Sequence, residues 1–274
     1  MEENPFKASE VRFWSVRTIP KFLIRGLPRV ITIFIGYIIT FLIIFFIPEK
    51  NNSAITKLLK IVTRLKLYFF GYKHLNISRE DQLKIKNSDA NVIVVNHSSY
   101  MDILLLAHII PDAKFVASEW IARLPVVGKF GRSKCIYLKN DFSGNLTDVI
   151  QSELEKGTKI VFYSEGLCSR SDLLLKLRNG AFVPKMKILP IHVDYGKNYW
   201  VMGEQDMVMH AMTQICNRNN NVTIRVGKEY CPTEEDKKDV ELFKENFRKY
   251  YAEIFNVKLS NKSYKDHPYF KMKL

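Results

Sequence analysis

The chain has 274 residues, 47% of them hydrophobic and 26% charged, enough apolar material for one large domain or one domain with an appendage. A formal net charge of +14 points to an anionic partner: nucleic acid, an acidic membrane surface or a phosphorylated substrate. The four cysteines, Cys135, Cys168, Cys216 and Cys231, form no C-x-x-C pair, which argues against a structural zinc site and against a disulfide scaffold.

Residues 30–47, VITIFIGYIITFLIIFFI, carry no charge. As a helix this run is about 27 Å long, against roughly 30 Å of bilayer hydrocarbon. It has no small-residue cleavage site, so it is not read as a signal peptide. The other reading is a helix buried in a soluble core, although large apolar side chains all round it leave no polar face. Next, Ile55, Leu58, Leu59, Val62, Leu65 and Phe69 recur at helical spacing opposite Lys57, Lys60 and Arg64. This spacing predicts a basic amphipathic helix, lying either in a membrane interface or against the core of the soluble part. Residues 1–29 and residues 48–73 carry six basic residues each, so charge assigns no side to a simple span. The tie suits a segment that dips into the bilayer with both flanks on the cytoplasmic side.

From residue 90 the pattern alternates. Runs at 92–95, 114–117, 135–138, 159–163, 188–193 and 222–226 read as strands. Helical patterns lie at 102–108 and at 146–156, the latter stopped by Gly157. Thr233 and Asp236 form a capping-box signature for a last helix carrying Val240, Phe243, Phe247 and Ile254. The expectation is an α/β fold, a central mixed sheet flanked by helices, with membrane-associated helices at the N-terminus. The organisation expected is residues 1–72 for those helices, 73–257 for the domain, and 258–274 for a basic, aromatic tail, loosely ordered or membrane-touching.

Two stretches carry chemistry. In VVNHSSYMD, residues 94–102, a strand ends at a loop bearing His97, with Asp102 five residues on. Residues five apart in one helix are about 140° out of phase, so these two meet only with His97 on the loop and Asp102 in the first helical turn. An aspartate on one imidazole nitrogen fixes the tautomer and leaves the other nitrogen as a general base. Ser99-Tyr100-Met101-Asp102 is equally a capping box, which explains Asp102 without catalysis. Ser98 or Ser99 as nucleophile lacks a Gly-x-Ser-x-Gly elbow. The second stretch, FYSEGLCSR, residues 162–170, follows the strand at 159–163 and holds Glu165, Gly166, Ser169 and Arg170. Strand ends of open α/β sheets are where ligands bind, and the arginine fork suits a phosphate. A surface turn with a solvated arginine is the plainer reading. Lys139, after the strand at 135–138, is either a further phosphate contact or a solvated lysine.

Together these stretches resemble the glycerolipid acyltransferases, which include the 1-acylglycerol-3-phosphate acyltransferases. Residues 97–102 resemble the family's His-x-x-x-x-Asp box, and residues 135–139 sit where its second motif falls. Residues 162–170 resemble Phe-Pro-Glu-Gly-Thr-x-Ser, and Leu189-Pro190-Ile191 its short fourth motif. Lys139 stands where that family has arginine, Ser164 where it has proline, and Leu167 where it has threonine, which bears on the acceptor headgroup more than on the reaction class. The resemblance implies acyl transfer from acyl-CoA or acyl-acyl carrier protein to a lysophospholipid hydroxyl, with 1-acylglycerol-3-phosphate giving phosphatidic acid as the first expectation. It implies His97 as base, Asp102 as its orienter, and Lys139, Glu165, Gly166, Ser169 and Arg170 around the acceptor. Neither metal nor bound cofactor is required, the partners expected are membrane lipids rather than nucleic acid, and the catalytic domain is expected on the cytoplasmic side. The alternatives are a membrane-bound lipid binder without catalysis and an acyltransferase for another lysolipid headgroup.

Overall fold

The computed structural model describes residues 3–8, 18–46, 52–119, 131, 134–138 and 146–268. Nine strands are found among them: β1 Asn76–Ile77, β2 Val92–Val95, β3 Lys114–Ser118, β4 Cys135–Leu138, β5 Ile160–Tyr163, β6 Leu173–Leu174, β7 Ile188–Asp194, β8 Thr223–Val226 and β9 Lys258–Leu259. Seven make one sheet in the order β1-β8-β7-β2-β5-β3-β4, while β6 and β9 pair separately. All neighbours in the large sheet are parallel except β7 and β8, so the sheet is mixed, as expected.

β2 lies at the centre between β7 and β5, and all four of its residues are buried. A strand covered on both faces needs apolar residues at every position, which is why Val-Ile-Val-Val reads as a run and not an alternation. Its side chains still point alternately. Ile93 and Val95 join a core with α2 (Asn52–Phe69), α3 (Arg79–Asn87) and α4 (Asp102–Ile109). Val92 and Val94 face a second core built with α5 (Leu146–Glu155) and the aromatic face of α8 (Val240–Phe255), including Phe243, Phe247 and Tyr251.

α1 (Leu27–Phe46) continues from a π turn, Phe22–Gly26. Only 6% of the most apolar 18-residue window within Ile19–Leu42 is buried, which removes the reading as a core helix. Position 47 lies outside the described residues. The helix at 52–69 has two apolar stripes. Ile55, Leu59, Thr63 and Leu67, spaced by four, turn toward α4 and the core, while Ile61, Leu65 and Tyr68 remain exposed. Thr63 satisfies its hydroxyl on the Leu59 carbonyl at 2.7 Å, so it fits an apolar stripe. The chain then turns at Gly71, whose φ of +91° favours glycine.

Three expectations change. The Thr233–Asp236 capping box is present but starts only the short α7 (Glu234–Lys238). Asp239 then caps α8 by accepting from Glu241 N at 2.8 Å, so the last helix is two. Residues 258–268 are not a loose tail. The buried Arg248 donates to the Leu174, Leu175 and Ser260 carbonyls, tying β6 and β9 to α8, and His267 is buried. Residues 269–274 lie outside the described residues. The reading in strands also passed over α3 and α6 (Met207–Cys216).

Candidate active site

The parallel register sets the site. Val95 of β2 is opposite Tyr163 of β5, so His97 and Glu165 each sit two residues past a paired position, at the carboxyl ends of adjacent strands. Ligands of open α/β sheets bind at such ends. Asn96, fully buried, prolongs the β2–β7 ladder with its side chain. It accepts from Val193 N at 2.7 Å and donates to the Val193 carbonyl at 2.9 Å. The sequence reading treated Asn96 as plain loop; the signal for it was an amide placed immediately after four buried apolar residues.

His97 Nδ1 lies 2.7 Å from Asp102 Oδ2. Asp102 opens α4, and the same oxygen accepts from Ser98 N at 2.9 Å and Ser99 N at 3.1 Å. The predicted Ser99 capping box does not form. Ser99 Oγ accepts from Met101 N at 3.2 Å, and Asp102 N donates to the Ser99 carbonyl. The carboxylate thus closes the turn itself, and the geometry that brings it back onto two amides also brings it onto the imidazole. The other oxygen, Oδ1, is buried without a hydrogen bond among the described residues; the buried Tyr195 interacts with Asp102, and the Tyr72 ring is edge-on to Tyr195 at 5.9 Å between centroids.

The ring of His97 stacks on Tyr163 at 4.4 Å and 27°, and its side chain is 18% exposed. Burial disfavours the imidazolium, while Cys168 and Asp102 favour it and outweigh burial, so the pKa stands well above the usual 6.5. Burial pushes the Cys168 thiol up in turn, so it is an uncharged S–H at neutral pH. We therefore assign the rise to the Asp102 carboxylate.

Glu165 and Ser169 hold the main chain of His97 from both sides. Glu165 Oε1 accepts from His97 N at 3.0 Å, and Ser169 N donates to the His97 carbonyl at 2.7 Å. Glu165 Oε2 accepts from Ser169 Oγ at 2.9 Å and Leu175 N at 3.2 Å. Burial pushes the Glu165 pKa up to about 7 against these donors and His97. Both residues are fully buried and their polar atoms are engaged by the protein, so the contribution seen here is positioning of His97. Gly166 has φ +83°, and a Cβ there would lie 2.8 Å from Arg178 Cδ. Only glycine makes this turn without strain.

Arg170 donates to Asp172 through Nε at 2.9 Å and Nη2 at 2.5 Å, and to Glu3 through Nη2 at 3.0 Å. Its own amide donates to the Pro5 carbonyl at 3.2 Å, and Lys258 pairs with Glu3. The site therefore gathers His97, Asp102, Glu165, Ser169 and Gly166, with Arg170 one residue beyond among carboxylates. Lys139 lies outside the described residues.

The structure thus places a histidine–carboxylate pair at the strand ends of a mixed α/β sheet. Residues 76–194 match the family model described as Acyltransferase. Among its relatives are a lysophosphatidylcholine acyltransferase of Drosophila melanogaster, 25% identical over 73% of this chain and 39% of the relative. Another is a lysophospholipid acyltransferase of Arabidopsis thaliana, 28% identical over 77% of this chain and 61% of the relative. The chain thus spans 39% and 61% of the length of these two proteins. The crystal structure of the 1-acyl-sn-glycerophosphate acyltransferase of Thermotoga maritima shares the fold, with a TM-score of 0.59 and 19% identity over 90% of this chain and 99% of that one.

Proposed function

We propose that the chain transfers an acyl group from acyl-CoA or acyl-acyl carrier protein to the free hydroxyl of a lysophospholipid at a membrane surface. The observation that carries this is the contact of the partly exposed His97 side chain with Asp102 at 2.7 Å, within the residues that match the Acyltransferase model. With Nδ1 engaged by Asp102, Nε2 is the basic nitrogen. It takes the proton of the acceptor hydroxyl as the oxygen attacks the thioester carbonyl. The tetrahedral intermediate, stabilised by backbone amides of the strand-end loops, expels the thiolate, which leaves with the proton from His97. Ester and thiol are the products, and no metal or bound cofactor enters the step. Glu165 and Ser169 act through the His97 backbone.

The acceptor headgroup falls to Arg170. With Lys258 it makes two cations against the two carboxylates of Asp172 and Glu3. A locally neutral cluster favours a zwitterionic phosphodiester over the dianion of 1-acylglycerol-3-phosphate. The names of the relatives, lysophosphatidylcholine acyltransferase among them, agree with this second reading of the acceptor.

Monotopic attachment is supported by two ties. Arg29 at the start of α1 donates to the Ile215 and Asn217 carbonyls at 2.7 and 2.6 Å, and α2 docks on α4 along its length. Lys66 sits over the Tyr37 ring at 3.8 Å, so α2 returns alongside α1. A hairpin held to the domain at both ends favours dipping into one leaflet from the cytoplasmic side.

The test is an acyl-transfer assay with both donor types against lysophosphatidylcholine, lysophosphatidylethanolamine and 1-acylglycerol-3-phosphate. His97→Ala should lower turnover by roughly 10²–10⁴-fold with folding and vesicle binding intact. Substantial turnover in that folded variant rejects this mechanism and favours the non-catalytic lipid binder. A preference for 1-acylglycerol-3-phosphate overturns the headgroup assignment alone.

A further inference from the structure

α6 reads MVMHAMTQIC, ten residues without a charge in a chain that is 26% charged. Asp206 caps it, accepting from Met209 N at 2.8 Å. His210, Gln214, Ile215 and Cys216 are buried, whereas Met207, Val208 and Met209 are exposed by 44%, 63% and 38%. Three successive large apolar side chains at a helix tip are unfavourable in water unless something covers them.

The neighbours indicate what covers them. α6 packs against the π turn Phe22–Gly26 at the root of the apolar helix. A Cβ on Gly26 would stand 3.1 Å from Cys216 Sγ, so the missing side chain admits the close approach. Arg29 crosses from α1 to satisfy the carbonyls of Ile215, Asn217 and Arg218 at the C-terminal end of α6. On the helix beside it Ile19, Leu23, Ile24 and Leu27 are exposed, with the exposed Lys21 and Arg25 between them. Apolar side chains interleaved with basic ones, continuous with a largely exposed apolar helix, suit an anionic lipid interface.

We propose that the tip of α6, Met207-Val208-Met209, inserts into the lipid bilayer as a third membrane contact beside the α1–α2 hairpin. The proposal rests on the membrane reading above. It adds a link to the chemistry. One turn into α6, His210 Nδ1 lies 3.2 Å from the Tyr100 hydroxyl, in the loop between His97 and Asp102. The Tyr100 ring meets Trp200 edge-on at 5.5 Å, and Trp200 N donates to the Ser98 carbonyl at 2.8 Å. The lipid-facing tip is thereby joined to the loop that carries the base, and sets the depth at which an acceptor hydroxyl in the bilayer meets His97.

The experiment uses the full chain with Cys231→Ser, which removes the exposed thiol. An environment-sensitive nitrobenzoxadiazole label is placed at Val208→Cys, at Phe34→Cys on the exposed face of α1, and at Lys238→Cys on charged α7. Each is bound to vesicles of phosphatidylcholine and phosphatidylglycerol containing spin-labelled lipid. Position 208 should be quenched by lipid labelled near the headgroup, position 34 by lipid, and position 238 only by aqueous iodide. A label at 208 that behaves like 238 while 34 is quenched by lipid overturns the α6 proposal. A label at 34 that is not quenched by lipid overturns the membrane reading and the α6 proposal with it. In a second arm, Val208→Glu should raise KM for vesicle-borne lysophospholipid about tenfold and leave a short-chain monomeric acceptor unaffected. Equal loss on both acceptors overturns the interfacial role.

Discussion

Replacing Asp102 by asparagine separates its two functions. In the turn, Oδ2 accepts from Ser98 N, Ser99 N and the imidazole of His97 at once. Two backbone donors converge there, so an asparagine side chain keeps its oxygen at that place and its NH₂ toward Tyr195. The tautomer of His97 is then unchanged, and what is lost is the negative charge. Two backbone bonds lose their charge assistance, so stability falls by at most about 2 kcal/mol. The imidazolium formed during catalysis loses a partner worth about 4 kcal/mol at ~4 Å between charge centres and an effective dielectric near 20. That corresponds to a drop in kcat of roughly 10³-fold. The pH profile supplies the sign. The carboxylate holds the His97 pKa well above 6.5, and the base works only when neutral, so activity in the wild type rises with pH through that raised value. In Asp102→Asn the acidic limb moves to lower pH. Steady-state kinetics across pH, together with thermal midpoints, decide the matter. Near-normal kcat with only a lowered midpoint would reduce Asp102 to a turn-former and refute the general-base reasoning. Ser99→Ala, which removes only the 3.2 Å bond from Met101 N, should leave kcat near the wild-type value.

Arg170→Ala should raise KM for the lysophospholipid by roughly 10–100-fold and affect the thioester KM little, because a charge-assisted contact to phosphate is lost while Asp172 and Glu3 stay; an effect confined to the donor rejects the assignment. Glu165→Gln tests the clamp through pH. The folded protein holds the Glu165 proton up to about 7 against an ordinary value of 4.5, so this group's stabilisation is present at low pH and lost as pH rises across that window, by at most about 3 kcal/mol. His97 contributes with the same sign, its part lost only as pH rises from 6.5 through its raised folded value. Thermal midpoints of the glutamine variant should fall less between pH 4.5 and 7 than those of the wild type, and an identical slope in both refutes the buried-carboxyl account.

Regular apolar periodicity made the sheet legible. All four residues of β2 are buried between parallel neighbours, and a continuous Val-Ile run is the only pattern that such a strand tolerates. The elements that escaped notice lack that pattern. β6 and β9 are two residues each, and what pairs them is Arg248 on a helix more than seventy residues from β6. α6 has no charged face against which an apolar stripe stands out, so its periodicity is masked by its composition. α2 was legible as a helix but not in its docking, since two apolar stripes on one helix admit both readings and only tertiary contacts separate them.

At the site, residue types were legible and partners were not. The spacing of His97 and Asp102 implies one geometry, because five residues cannot share a helical face, and the 2.7 Å contact is that geometry. Glu165, Ser169 and Arg170 looked alike as polar residues after a strand. The register that pairs Val95 with Tyr163 distinguishes them, since it puts Glu165 level with His97, where its oxygen meets the His97 amide, and brings the Ser169 amide to the His97 carbonyl four residues later. A carboxylate that accepts three protein donors while fully buried presents no exposed oxygen to a ligand. Arg170 lies one residue further, partly exposed and among carboxylates, with Nη1 making no hydrogen bond among the described residues. A planar fork already held on two of its nitrogens loses little further rotamer freedom when the third meets a phosphate oxygen. If Arg170 holds the acceptor as proposed, Asp172 and Glu3 preorganise it and lower its net attraction for a dianion, so the same three residues would bear on both KM and headgroup choice.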